Sequence, residues 1–295
     1  FYYYSISTIE KNDRNKKKQI KKRINLRVIS SLSSYISDSS VRFDKEPVFF
    51  IGHSFEFAVK HPELLRYYQF SDNYVLSKNR EQNRFKIGII DGPINLKHPE
   101  LEDVLIEQSF FVNDYTENDI EHATSVAGVI SAKNNSIGIK GILEDVFIIN
   151  AVVLSNSRVE QVDLANAIRH CVEKSVDVIN ISIEIYEFSD DLLEAIDLAN
   201  EAEIQIFMAN GNGGFRKKLR SIEKPNKENL IFVGMLDRND EESSSNMEFR
   251  KADIFELGEN IISLSNESYK VYNGTSYSCA ITTSKYIKKE AKYEK

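Results

Sequence analysis

From residue 85 onward, short apolar runs alternate with longer amphipathic stretches. Phe85-Lys86-Ile87-Gly88-Ile89-Ile90 is a β-rich run that stops at the turn residues Asp91-Gly92-Pro93, leaving Asp91 at the strand's C-terminal edge. Glu121–Ile130 sets small and apolar residues at helical spacing behind His122, which predicts a buried helix starting at that histidine. Val146–Leu154 reads as a strand, and Ser157-Arg158-Val159-Glu160 fits a capping box opening a helix through Lys174. The apolar run from Val176 to Ile183 predicts a buried strand, Leu192–Ala202 an amphipathic helix, and Ile204–Ala209 a further strand that closes in Asn210-Gly211-Asn212-Gly213-Gly214. Leu230–Leu236 is another strand, and the small residues of Asn273-Gly274-Thr275-Ser276 turn the chain into a last helix with Ser276 at its N-terminus. Strands separated by helices of this length imply an α/β fold, a doubly wound parallel sheet with helices on both faces.

Residues 1–84 lack this alternation. They mix aromatic and basic residues, offer one helical candidate from Ser54 to Tyr68, and end in the polar stretch Ser77–Asn83, which reads as a boundary between a small N-terminal region (1–84) and the main domain (85–295). Charge divides the chain at the same place. Residues 1–84 carry 16 Lys and Arg against 9 Asp and Glu, which leaves 22 against 36 for the rest, so a net charge of −7 combines a +7 segment with a −14 domain. The basic run Lys16–Arg23 has three readings, a nucleic-acid patch, a solvated helix face or a surface lying against the acidic domain; the solvated face is favoured over the patch, and no nucleic-acid partner is expected. With 41% hydrophobic and 28% charged residues the composition is that of a globular protein. No run approaches the roughly 18 apolar residues of a membrane span, so no membrane partner is expected either. Cys171 and Cys279 lack the number and spacing for a disulfide framework or metal site. The sequence begins on Phe1 and stops at Lys295 soon after the serine helix, which reads as trimmed or incomplete.

Taken singly, the polar residues at the strand ends have bland explanations: Asp91 as a turn residue, His122 as a core histidine, Asn212 as a loop asparagine, Ser276 as a helix cap. Taken in order they are more informative. Ile89-Ile90-Asp91 followed by His98-Pro99-Glu100-Leu101, then His122-Ala123-Thr124-Ser125-Val126-Ala127-Gly128 with Asn134-Asn135-Ser136-Ile137-Gly138, then Asp177–Ser182, Ala209–Gly213 and Asn273-Gly274-Thr275-Ser276 together resemble the subtilisin-like serine proteases, the subtilases, across residues 85–290. The resemblance implies a serine endopeptidase acting on a protein or peptide. Ser276 would be the nucleophile, His122 its general base and acid, Asp91 the group that orients the imidazole, and Asn212 an oxyanion donor. Ser182, Ile183 and Glu184 would lie along the substrate, with Glu223 near the floor of the pocket for the residue before the cut; a carboxylate there favours basic residues.

The same resemblance implies no required cofactor. A structural Ca²⁺ would be held by Glu100, Asn135 and carbonyls of the loop 133–139, although a plain turn stabilised by Asn134 and Asn135 explains the same residues. It implies an N-terminal region that docks on the domain as an inhibitor, which the opposed charges favour, and, by the usual place of such proteins, an extracellular location. Several positions depart from the family pattern: Ala123 for a usual Gly, Ser125 for a second His, Glu184-Ile185 for a glycine-rich continuation, and Ala280 for the usual Pro. Two rival readings remain, an inactive subtilase-like binding protein and a nucleotide-binding domain using Asn210–Gly214. The second lacks any Gly-x-Gly-x-x-Gly opening the first helix.

Overall fold

The computed structural model describes residues 84–135, 138–213, 224–246 and 250–293. The N-terminal region up to residue 83, with the helix expected from Ser54 to Tyr68, and Glu223 lie outside the described residues.

Seven strands form one sheet: β1 Lys86–Asp91, β2 Leu105–Phe110, β3 Phe147–Val152, β4 Val178–Ile181, β5 Gln205–Ala209, β6 Leu230–Leu236 and β7 Ile254–Leu257. Their spatial order is β2-β3-β1-β4-β5-β6-β7 and every neighbouring pair is parallel. The helices are α1 Glu117–Ser131, α2 Gln161–Glu173, α3 Asp190–Glu201 and α4 Thr275–Tyr293. An antiparallel hairpin, β8 Ile261–Leu264 and β9 Tyr269–Tyr272, feeds directly into α4.

The period-2 alternation of strand side chains sorts the core into two layers. Ile87 and Ile89 of β1, Val178 of β4, Phe207 and Ala209 of β5 and Val233 of β6 join Val126 and Ile130 of α1 and Ala280 and Ile281 of α4. Their chain neighbours Ile90, Ile179, Ile181, Ile206, Met208 and Phe232 turn the other way and pack with Leu164 and Ile168 of α2 and Leu192 and Ile196 of α3. Both faces are therefore covered, as the alternating sequence pattern requires. Asn180 interrupts the apolar series of β4 on the α1/α4 face, where its amide oxygen accepts from the Thr283 hydroxyl of α4 at 3.0 Å and its nitrogen donates to Ser182 Oγ at 2.8 Å.

Two local expectations are corrected. The helix carrying His122 begins five residues earlier, at a capping box in which the Thr116 hydroxyl accepts from Asp119 N and the Asp119 carboxylate accepts from Thr116 N at 2.8 Å. Conversely, Ser157 caps nothing: it sits in the left-handed region at φ 59°, its N–H donates to Asp119 Oδ1 at 2.8 Å, and α2 starts at Gln161 after Glu160 without a side-chain cap. One acidic side chain thus serves the start of α1 and pins the 155–158 turn, removing the serine that the local pattern had assigned to α2.

The Gly128 site explains how closely α1 approaches the hairpin. A Cβ there would meet Leu264 Cγ at 2.6 Å and Ser263 Oγ at 2.7 Å, so only glycine lets the histidine helix lie against β8.

Candidate active site

The C-terminal ends of β1, β4 and β5 are neighbours in the sheet, and in open parallel sheets such ends are where loops converge. Asp91 is the last residue of β1, Ser182 follows β4, and Asn210-Gly211-Asn212 follows β5. His122 lies in the second turn of α1, and Ser276 is the second residue of α4.

Asp91 is fully buried. Its Oδ1 accepts from Gly92 N at 2.7 Å and lies 2.8 Å from His122 Nδ1. Across the ring, His122 Nε2 lies 3.0 Å from Ser276 Oγ. With Asp91 as acceptor on one side, Nδ1 carries the proton and Nε2 is the lone pair facing the serine. Burial pulls the imidazole pKa down, but the charge of Asp91, its hydrogen bond and the more remote charge of Asp119 outweigh it and hold His122 above its ordinary 6.5.

The Ser276 hydroxyl has a second acceptor, the Ser182 carbonyl at 3.0 Å, while the Ser182 hydroxyl donates to the Ser276 carbonyl at 3.0 Å. This reciprocal pair fixes the start of α4 against the end of β4. The single serine proton can go either to Ser182 O or to His122.

Asn212 is oriented from below. Its amide oxygen accepts from Thr275 N at 2.8 Å and from Thr275 Oγ1 at 3.2 Å, which leaves the amide nitrogen as the end able to donate elsewhere. Gly211 adopts φ 110°, a conformation other residues avoid, and this turn lets its N–H reach Thr275 Oγ1 at 3.1 Å. The N-terminal amides of α4 add positive potential at Ser276.

The remaining site residues expected from sequence fall differently. Ser182 is buried beside Ser276, as described. Ile183 is 7% exposed and its side chain belongs to the core layer of α2 and α3. The Glu184 Oε2 accepts from Asn212 N at 3.3 Å, and its Oε1 is buried with no partner. Glu100 is fully buried, with Oε1 accepting from the Tyr269 hydroxyl at 2.6 Å and Oε2 unpartnered. Burial pushes this carboxyl up to about 7, against the Tyr269 hydrogen bond and the charge of Lys133. Gly138 folds over it at φ 58°, where a Cβ would overlap the carboxylate and the phenol. One buried, unsatisfied carboxylate oxygen inside a closed loop fits a hard cation, although no group of three or more His, Cys, Asp or Glu gathers among the described residues. The Asn134 amide nitrogen donates to Glu144 Oε1 at 3.1 Å.

Several contributors were missed from sequence. Ser125 donates to the His122 carbonyl at 2.7 Å and pairs with the Tyr277 hydroxyl at 3.0 Å, so the residue in place of a second histidine braces the first. Arg250, only 3% exposed, lies over the Phe232 ring at 4.2 Å; it donates to Asn210 Oδ1 at 3.1 Å and to the Asn210 and Ile185 carbonyls at 2.8 Å each.

The Subtilase family profile matches residues 82–288. The chain belongs to the subtilase family. It is 31% identical over 197 residues to subtilisin E of Bacillus subtilis (strain 168), covering 65% of this chain and 51% of that protein. Against the major intracellular serine protease of the same organism it is 28% identical over 211 residues, covering 68% of this chain and 66% of the relative. This subtilase spans about half the length of several curated relatives it matches. Among solved structures, the prenylagaramide maturation protease PagA is similar at a TM-score of 0.55 with 20% identity, covering 68% of this chain and 73% of that one. The patellamide maturation protease PatA is similar at 0.56 with 21% identity, covering 68% and 75%. Both share the fold.

The raised His122 pKa generates a pH prediction. If His122 acts as a base, kcat/KM rises with pH through its pKa, so the acid limb should lie above 6.5. In Asp91→Asn both contributions from Asp91 vanish while burial remains, so the limb should move down in pH as turnover falls by about 10⁴ through loss of the correct tautomer. A pH–rate profile checks both; a limb that stays in place would show that Asp91 does not govern the imidazole.

Proposed function

We propose that this subtilase is a serine endopeptidase that hydrolyses peptide bonds in a protein or peptide substrate. The observation that carries the reading is the hydrogen-bonded line Asp91–His122–Ser276, with separations of 2.8 and 3.0 Å, ending at a serine on a helix N-terminus. In the first step the Ser276 proton passes from Oγ to His122 Nε2 as Oγ bonds to the substrate carbonyl carbon. The carbonyl oxygen becomes an oxyanion, to which the Asn212 amide and the backbone N–H at Ser276 donate. The imidazolium forms against Asp91, whose buried carboxylate stabilises it without taking its proton. His122 then gives that proton to the leaving amine. Water, deprotonated by the same nitrogen, releases the acyl group and restores Ser276. The rival reading of an inactive binding protein has no observation of its own.

Substitutions test the assignment. Ser276→Ala should lower turnover by about a millionfold because the triad acts as a unit, with folding unaffected. His122→Ala should do the same but also leave Asp91 with Gly92 N as its remaining donor, costing about 1–3 kcal/mol of stability. For Asn212→Ala a milder loss of about 10²–10³ is expected, a magnitude borrowed from the oxyanion asparagine of a subtilisin. Wild-type hydrolysis by the Ser276→Ala protein would refute the mechanism.

We also propose a structural Ca²⁺ in which Glu100 Oε2 is the carboxylate ligand, with Asn135 and loop carbonyls as further oxygen donors. The ion would neutralise a carboxyl otherwise unfavourably buried and tie the loop after α1 to β9. Chelation should lower the Tm and added Ca²⁺ restore it. A Tm indifferent to both would remove the metal, and a Tm lowered by chelation equally in wild type and Glu100→Gln would remove Glu100 as its ligand.

A further inference from the structure

Among the described residues, Glu184, close in sequence to Ser182, has one buried carboxylate oxygen with no donor. Glu184 lies two residues beyond Ser182, whose hydroxyl and carbonyl both bond Ser276. Its Oε2 accepts the backbone N–H of Asn212, the residue that orients toward the oxyanion. Its Oε1 is buried and accepts nothing. A desolvated carboxylate oxygen without a donor is unfavourable, and its usual resolution is a cation that both neutralises and hydrogen-bonds it.

Among the described residues, Arg250 acts on Glu184 through charge, with no hydrogen bond between them. Arg250 gives its hydrogen bonds to Asn210 and Ile185, across the ends of β5 and β4, and its face to Phe232. Burial lowers its pKa to about 10, and the charge of Glu184 is first among those pulling it back up. The guanidinium therefore ties together the segments that follow β4 and β5, and its hydrogen bonds go elsewhere than Glu184 Oε1.

We propose that Glu184 is the subsite for a cationic substrate side chain and directs this subtilase to cut after Lys or Arg. The inference rests on the serine-protease reading above. In that reading the scissile carbonyl sits at the Asn212 amide and Ser276 N, and the side chain of the residue bearing that carbonyl branches one atom away. Among the described residues, the carboxylate bound to the Asn212 backbone is thus a charge within reach of that side chain. An ammonium or guanidinium entering there donates to Oε1 and restores the missing hydrogen bond. A hydrogen bond to a charged group contributes roughly ten- to hundredfold in binding, which sets the expected preference.

The test uses the full chain and three chromogenic peptides that differ only in carrying Arg, Leu or Glu before the cleaved bond. Wild type should cleave the Arg peptide with a kcat/KM roughly ten- to hundredfold higher than the Leu peptide. Glu184→Gln should bring the ratio near one, and Glu184→Lys should invert the selection toward Glu. On the unmutated protein, benzamidine should inhibit competitively where benzamide of the same shape does not, a measurement that survives any folding defect of the variants. Equal or better cleavage after Leu, an Arg preference untouched in Glu184→Gln, or equal inhibition by benzamidine and benzamide would overturn the proposal while leaving the protease reading standing. Failure to cleave any of the peptides would count against that reading and this inference together.

Discussion

The site is built around one buried charge. Asp91 ends the central strand β1 with its carboxylate wholly out of solvent, and its two donors are Gly92 N and His122 Nδ1. A buried carboxylate is tolerated only when it is hydrogen-bonded or paired, so the bond to His122 is a constraint on how α1 sits as well as a feature of the imidazole. The approach of α1 that this bond needs is permitted by Gly128 against β8, and is anchored at the other end by the Thr116–Asp119 cap. Asp119 carries this further, binding the Ser157 amide and so the turn after β3. Its carboxyl, though burial would raise its pKa, is held below the ordinary range by the Thr116 and Ser157 hydrogen bonds.

A second set of contacts joins the serine helix to the rest. The reciprocal Ser182–Ser276 pair, the Thr275–Asn212 pair and the Asn180–Thr283 bond attach the first three turns of α4 to the ends of β4 and β5. Ala280, where the family usually has Pro, is fully buried inside α4 against this sheet face. It keeps the backbone N–H that a proline would lack. Ser125 substitutes for a histidine with a hydroxyl that braces the His122 carbonyl and meets Tyr277, whose ring stacks on Tyr272 at 5.2 Å. These departures retain the support of the site by other bonds.

Most of the fold was legible because its signal is local. Five of the seven sheet strands are buried on both faces, and their apolar runs stand out between amphipathic helices. The edge strands β2 and β7 were not seen: Leu-Ile-Glu-Gln-Ser-Phe and Ile-Phe-Glu-Leu are only half-buried, so neither an apolar run nor clean alternation marks them. The start of α1 was misplaced because its cap lies among polar residues before the apolar stripe begins. The capping box drawn at Ser157 failed for the opposite reason: a partner 38 residues away, Asp119, claimed its amide. The same division holds in the site. Asp91, His122, Asn212 and Ser276 sit in recognisable local contexts, whereas the value of Arg250 depends on Asn210 and Ile185, 40 and 65 positions distant, and no window of sequence contains them together.

The central claim is that Ser276 is activated by His122, and it is tested most directly by covalent labelling of the full chain with a fluorophosphonate followed by peptide mapping. The account predicts a single phosphonylated residue, Ser276, with labelling lost in His122→Ala. Labelling at another residue, no labelling of the folded wild type, or an undiminished rate at Ser276 without His122 would contradict it.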